Sequence, residues 1–295
     1  MRDVFSAGHP IINIIFYVGA FVLGMCLIHP AYLLCSVISS LLYYFLLKRR
    51  FAKYFLGMFG VFLMLSLINP LFNRYGDTVL FTFLGGRPYT KEALFYGMAL
   101  GAMFVTILTW FATYQEVMTS DKFLYCFGRF SPSAALILTM VLRLVPSFQK
   151  KAGQISNARE CIGKSITGVS VYQKSENAMV IVSALTSWTL EGGITMADSM
   201  KSRGFGSGNR TTFSVYRIRK LDKWLIFLMI LIEIIIVISA FKGGMKVSYV
   251  PELEITYLQN PWTVIGSICY GTFLSIPTVL HIVEEMTWCI LKSKI

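Results

Sequence analysis

Apolar runs alternate with polar segments along the 295 residues. Ile11–Ile28 is the first and closes on His29-Pro30. Ala31–Leu47 follows at once and stops at Lys48, Arg49 and Arg50. Tyr54–Ile68 ends at Asn69-Pro70, and Glu92–Thr113, Trp224–Phe241 and Trp262–Val283 complete the set. A bilayer core of about 30 Å takes about 20 helical residues. Each run therefore reads as one span, the first three slightly short. The pattern predicts an all-α polytopic membrane protein with about six transmembrane helices. Between the third and fourth runs, Thr78–Leu84 is β-like and Gly85-Gly86-Arg87-Pro88 reads as a turn, a small outer hairpin. Pro251–Leu258 is β-like as well.

The interval between the fourth and fifth runs breaks this rhythm. It divides the chain into N-terminal spans (1–113), a polar helical region (114–223) and C-terminal spans (224–295). Ser120–Phe130 and Ala134–Val145 read as helices, the second apolar enough to lie in or against the membrane. Two further segments, Pro146–Gly163 and Gly193–Gly204, are amphipathic. At 100° per residue, Phe148, Ala152, Ile155, Arg159 and Ile162 fall on one line of the first. Met196, Met200 and Arg203 do the same on the second. Each apolar stripe thus holds one arginine near its C-terminal end. One such arginine would be explained by snorkelling or by the helix dipole. Two in one interval suit insertion into a partner's groove, where a guanidinium fork meets carboxylates or carbonyls. Gly204 follows Arg203 as a helix-ending glycine in the left-handed conformation.

Composition agrees with the spans: 55% of residues are hydrophobic, 14% are charged, and mean hydropathy is +0.63. Soluble domains carry about 25% charged residues. The net charge of +12 does not argue for nucleic acid, because the cations flank apolar runs. With both termini in the cytosol, only Arg74, Arg87, Lys91, Lys242 and Lys246 of the 27 Lys and Arg fall outside. The positive-inside rule therefore makes the 114–223 interval cytosolic. Arg2 alone precedes the first run, which reads as a transmembrane helix and not as a signal peptide. The six cysteines form no C-x-x-C pair and read as small buried hydrophobes.

Other constellations carry less. Ala93, Gly97 and Gly101 put small residues on one face of the fourth span. That face serves either packing within the chain or a docking membrane subunit. Ala158–Ser165 imitates a phosphate-binding loop, but alanine stands where the first glycine must turn and a helix stands where a strand should precede. Glu252/Glu254 and Glu284/Glu285 read as solvated charge without helical or strand context, and no H-E-x-x-H is present. Catalytic and metal sites are not expected. Glu233 interrupts the fifth span; a carboxylate there must face protein and find a donor, for structure or for subunit contact.

The combination resembles the transmembrane T component of energy-coupling factor (ECF) importers, the cobalt-transport T-subunit family. The resemblance rests on Leu142-Arg143-Leu144-Val145-Pro146, on Ser156-Asn157-Ala158-Arg159-Glu160, and most specifically on Ala197–Gly206 with Ser202-Arg203-Gly204 at its centre. Glu160 departs from the family's usual Ala-Arg-Gly form. The resemblance implies a scaffold in a bacterial cell membrane without catalysis or a bound cofactor of its own. Two ATP-binding-cassette ATPases, holding ATP and Mg, would each receive one coupling helix at Ala158-Arg159-Glu160 or Ser202-Arg203-Gly204. A small membrane S component would select a vitamin or metal ion and topple to release it inward. The rival readings are an ABC permease with its own path and a membrane-embedded enzyme.

Overall fold

A computed structural model of the chain describes residues 4–48, 51–73, 78–83, 87–164, 170–206, 216, 218–244, 247–248, 254–255 and 260–293. Ten α-helices occur among them: α1 (Val4–Ala7), α2 (Pro10–Cys26), α3 (Pro30–Leu47), α4 (Phe51–Phe72), α5 (Lys91–Val117), α6 (Ser120–Phe130), α7 (Pro132–Cys161), α8 (Val171–Ser202), α9 (Lys220–Ser239) and α10 (Pro261–Ser293). A π-type turn, Ala240–Gly244, follows α9. Two antiparallel pairs join β1 (Val79–Phe83) to β2 (Arg87–Thr90) and β3 (Val247–Ser248) to β4 (Glu254–Ile255). The expected hairpin is therefore present; its glycine turn lies outside the described residues, as do Arg2, Arg49, Arg50, Arg74, Lys246, Glu252 and most of Pro251–Leu258.

The protein is nearly all helical, and several of its helices could span a membrane. By length and composition, seven described helices qualify, α2 being slightly shorter. They include α7 and α8, the two least apolar of the seven. Residues 134–161 lie in one uninterrupted helix with Pro146 inside it, and Gly193–Ser202 is the end of a 32-residue helix. Proline and the apolar-to-polar change at Val145 mark a boundary in sequence, yet a helix continues where tertiary contacts hold both sides. Similarly α4 runs through Pro70 to Phe72, α5 passes Thr113 to reach Val117, and α10 carries Glu284 and Glu285 on to Ser293. Those two carboxylates thus have the helical context their sequence surroundings did not announce.

Two compact units divide the chain: Met1–Phe123 with Tyr216–Ile295, and Leu124–Val215. The first holds the core. Phe16 meets Trp110 edge-on at 5.1 Å and stacks on Phe273 at 5.3 Å, while Tyr43 stacks on Trp110 at 6.0 Å. One aromatic cluster so joins α2, α3, α5 and α10. Packing of this kind holds membrane helices together where lipid offers no hydrophobic gain.

Helices α2 and α3 begin identically. His9 and His29 are extended N-caps, each followed by proline at the first helical position. Their Nδ1 atoms accept from the N–H of Ile11 (3.3 Å) and Ala31 (3.2 Å). The imidazole thus does what Asn or Asp does at other caps, and proline has no N–H to lose there. His29-Pro30 ends one span and starts the next. Lys48 and Glu116 meet at 2.6 Å, so α3 and α5 end at one side of the unit.

The face bearing Ala93, Gly97 and Gly101 is buried within the chain. A Cβ on Gly97 would lie 2.8 Å from Ser66 O, and one on Gly101 3.1 Å from Phe62 O, both backbone atoms of α4. Of the two readings of this face, packing within the chain is what the contacts show, and it leaves no face here for a docking subunit. Ser66 O stands four residues before Pro70, whose missing N–H would have been its helical partner. Gly97 lets α5 approach that carbonyl.

Lys122, buried to 4% exposure, holds the end of α5. Its ammonium donates to Val117 O at 3.0 Å and to Ser6 O. The Asn13 amide, with its nitrogen turned to Phe5 O (2.9 Å), offers Oδ1 to the same ammonium at 3.0 Å. The cation neutralises the carbonyl end of α5 and ties it to α1 and α2. Lys122→Met is expected to cost about 2–3 kcal/mol by stranding buried carbonyls. A thermal midpoint in detergent equal to the wild type's would show these contacts to be energetically idle.

Candidate functional site

The candidate site lies in the second unit, on α7 and α8. Arg159 Nη2 donates to Asn177 Oδ1 at 2.6 Å, and Phe148 meets Trp188 edge-on at 5.9 Å. Lys151 Nζ lies 5.7 Å from the Trp188 ring centre, a cation–π contact. Rising numbers on α7 meet falling numbers on α8, so the helices are antiparallel. The positions shielded from solvent recur at helical spacing: Leu144, Phe148, Ala152, Ile155 and Arg159 on α7, and Asn177, Ile181, Leu185 and Trp188 on α8.

The first stripe meets a helix of its own chain. Phe148, Ala152, Ile155 and Arg159 face α8 of the same chain; Ile162, 70% exposed, is the member left outside. Arg159 is half-buried and has already committed one guanidinium nitrogen to Asn177, while its Nε is buried without a hydrogen bond among the described residues. Asn177 itself is 8% exposed. Ala158 and Glu160, on either side, are exposed.

The second stripe remains open. Met196, Met200 and Arg203 line a groove of about 890 Å³ between the two helices, with Met140, Arg143 and Leu144 on the α7 side and Trp188 and Glu191 on the α8 side. Two guanidinium-bearing residues therefore border one groove of mixed polarity, which Ser147, Glu191, Thr195 and Ser199 also line. Arg143 had only its motif to mark it in the sequence; its opposition to Arg203 requires the antiparallel pairing. Ser202 is exposed and donates its hydroxyl back to Asp198 O at 2.6 Å.

Both helices end the same way. At α7, Gly163 N–H donates to Glu160 O and Lys164 N–H to Arg159 O, each at 3.0 Å. At α8, Gly204 N–H donates to Lys201 O and Phe205 N–H to Met200 O, each at 3.0 Å. These are Schellman turns, and the glycines take the required left-handed φ of +78° and +79°. Gly163 caps α7 as Gly204 caps α8, which the sequence signalled only for Gly204. The arginines are not equivalent within this repeat. Arg159 lies a full turn inside its helix, whereas Arg203 is the C-cap itself.

Antiparallel pairing puts the two capped ends at opposite ends of the helix pair. Arg159 sits at Asn177, near the start of α8, and Arg203 closes α8. About 1.5 Å per residue gives roughly 39 Å of helix between Asn177 and Arg203.

Glu233 stands in the first unit, half-buried. Its Oε1 occupies the space where a Gly19 side chain would be, against Phe273, and is buried without a hydrogen bond among the described residues. Among the described residues no donor reaches this oxygen; Gly19 of α2 supplies room and not a proton. Among the described residues no three His, Cys, Asp or Glu side chains gather to hold a metal. Cys26, Cys161 and Cys289 are exposed, contrary to their reading as buried hydrophobes. No protein-family model and no curated protein matches the chain.

Proposed function

We propose that this chain is the transmembrane scaffold of an ECF-type importer, carrying ATP-driven motion from two ABC-type ATPases to a small membrane S component that selects a vitamin or metal ion. The carrying observation is the opposite placement of two glycine-capped, arginine-bearing helix ends on one antiparallel pair. Two sites roughly 39 Å apart suit two partner subunits and not two contacts in one groove. Supporting this are the exposed Ser202-Arg203-Gly204 end beside an open groove, and the family-like sequence around it. In this reading the chain performs no hydrolysis; ATP and Mg belong to the partners. The cytosolic side of the α7–α8 pair and of both termini, and the bacterial cell membrane as location, are parts of the same proposal.

A second reading rests on the apolar windows of α7 and α8, each long enough to enter a bilayer. Two more spans would suit an ABC permease with its own translocation path. One reconstitution separates the readings. Proteoliposomes holding the chain and its ATPases are expected to show no uptake until an S component is added. Uptake with the ATPases alone would favour the permease and end the scaffold reading.

A further inference from the structure

Helices α3, α4 and α5 leave a groove of about 430 Å³ between them, and every residue lining it is apolar. The close approach at Gly97 and Gly101 draws α4 onto α5. Helix α4 meets α3 at Tyr44 and Tyr54, whose rings stack at 3.9 Å. From that stack the two helices part, and the groove opens between them. Its α3 wall runs from Pro30 to Leu41, about 16 Å at 1.5 Å per residue. That is one leaflet of a hydrocarbon core about 30 Å thick.

The two ends differ. Leu41 and Phe55 stand within one turn of Tyr44 and Tyr54, where α3 and α4 meet. At the other end stand Pro30 and Phe95, and Lys91 Nζ lies 5.9 Å from the centre of the Phe95 ring. Lys91 is exposed, and it opens α5, where the helix dipole adds positive potential. The neighbouring Glu92 is buried and accepts from the Thr78 hydroxyl. An apolar slot one leaflet long, running from the α3–α4 tyrosine contact to a cation at its mouth, matches one kind of molecule. The geometry points to a bound anionic phospholipid, one acyl chain in the α3–α4–α5 groove and its phosphate at Lys91. The site is independent of the transport reading, since it uses none of the α7–α8 residues.

The test uses the full chain in nanodiscs of mixed phosphatidylethanolamine and phosphatidylglycerol. The probe is a phosphatidylglycerol with a diazirine near the end of one acyl chain, and its phosphatidylcholine counterpart is the zwitterionic control. Light-induced label is expected on peptides covering 33–41 and 55–62. Ala102→Phe fills the groove and should reduce that label to the level of other lipid-facing helices. Leu34→Trp, at a lining position that is 65% exposed, should do the same without overfilling a buried contact, and so serves if the first variant does not fold. Lys91→Gln should keep the acyl label but lose a preference for the anionic probe of about fivefold, the worth of one cation at an anionic head group. Label spread evenly over all helices, or unchanged in both filling variants, would overturn the site. An anionic preference that survives Lys91→Gln would overturn the head-group assignment. Exclusion of the probe by a partner protein cross-linked through Leu34→Cys would give the groove to a protein instead.

Discussion

Arg203→Glu is expected to release ATPase subunits from the purified complex and to abolish ATP-driven uptake. The argument starts at the cap. Arg203 ends α8 in a Schellman turn that Gly204 makes possible, so its backbone is held while its side chain is exposed beside Met196 and Met200. A guanidinium presented from a rigid, partly apolar rim is the type of group that dominates an interface. Removing such a residue costs about 2–4 kcal/mol, roughly 30- to 1,000-fold in affinity. Charge reversal adds repulsion to that loss. Arg159→Ala is expected to act less cleanly, because Arg159 also holds Asn177 across the helix pair. Its loss should weaken ATPase retention and also loosen α7 on α8, read as a lower thermal midpoint; Arg203→Glu should leave that midpoint unchanged. The double variant should be the most impaired. Stoichiometric ATPase retention together with normal uptake in the double variant would remove the arginines from the mechanism.

Gly97→Leu is expected to prevent stable folding. Even the first added carbon would stand 2.8 Å from Ser66 O, and that neighbour is backbone, not a side chain that can turn away. The rest of a leucine would force α4 from α5. Overpacking of this kind costs about 1–3 kcal/mol or more. Opening the face also exposes Ser66 O, already deprived of its helical partner by Pro70, to hydrocarbon. Gly101→Leu should follow, with Phe62 O at 3.1 Å. The control lies on α4 itself. A Cβ at Gly57 or Gly60 would meet nothing within 4 Å. Gly57→Ala and Gly60→Ala should therefore be neutral or stabilise by up to about 1 kcal/mol through helix propensity. Monodisperse elution and a thermal midpoint in detergent report both arms. A Gly97→Leu protein as stable as Gly60→Ala would mean that α4 and α5 do not depend on this approach.

Much of this was legible in the chain itself, for physical reasons that are local. An apolar run near 20 residues long has few alternatives to a helix, since its backbone must satisfy itself. The small-residue spacing of Ala93, Gly97 and Gly101 announced a close approach, because one helical face is defined by sequence separation alone. It could not name the partner helix. Glu233 was recognisable as an intruder in an apolar run, but the room made by Gly19 is a relation between residues far apart in the chain. Lys122 gave no signal at all: its carbonyl partners Ser6 and Val117 look ordinary in any sequence.

The two arginines divide the same way. Sequence by itself determined that each lies on an apolar stripe near a helix end, because periodicity and glycine caps are written within a few residues. Only the tertiary structure decided what each stripe meets. Antiparallel pairing turns the Phe148–Arg159 stripe onto α8 and leaves Met196, Met200 and Arg203 beside an open groove with Arg143. The reason is that a helix's period specifies which residues share a face, while the occupant of that face depends on how distant segments pack.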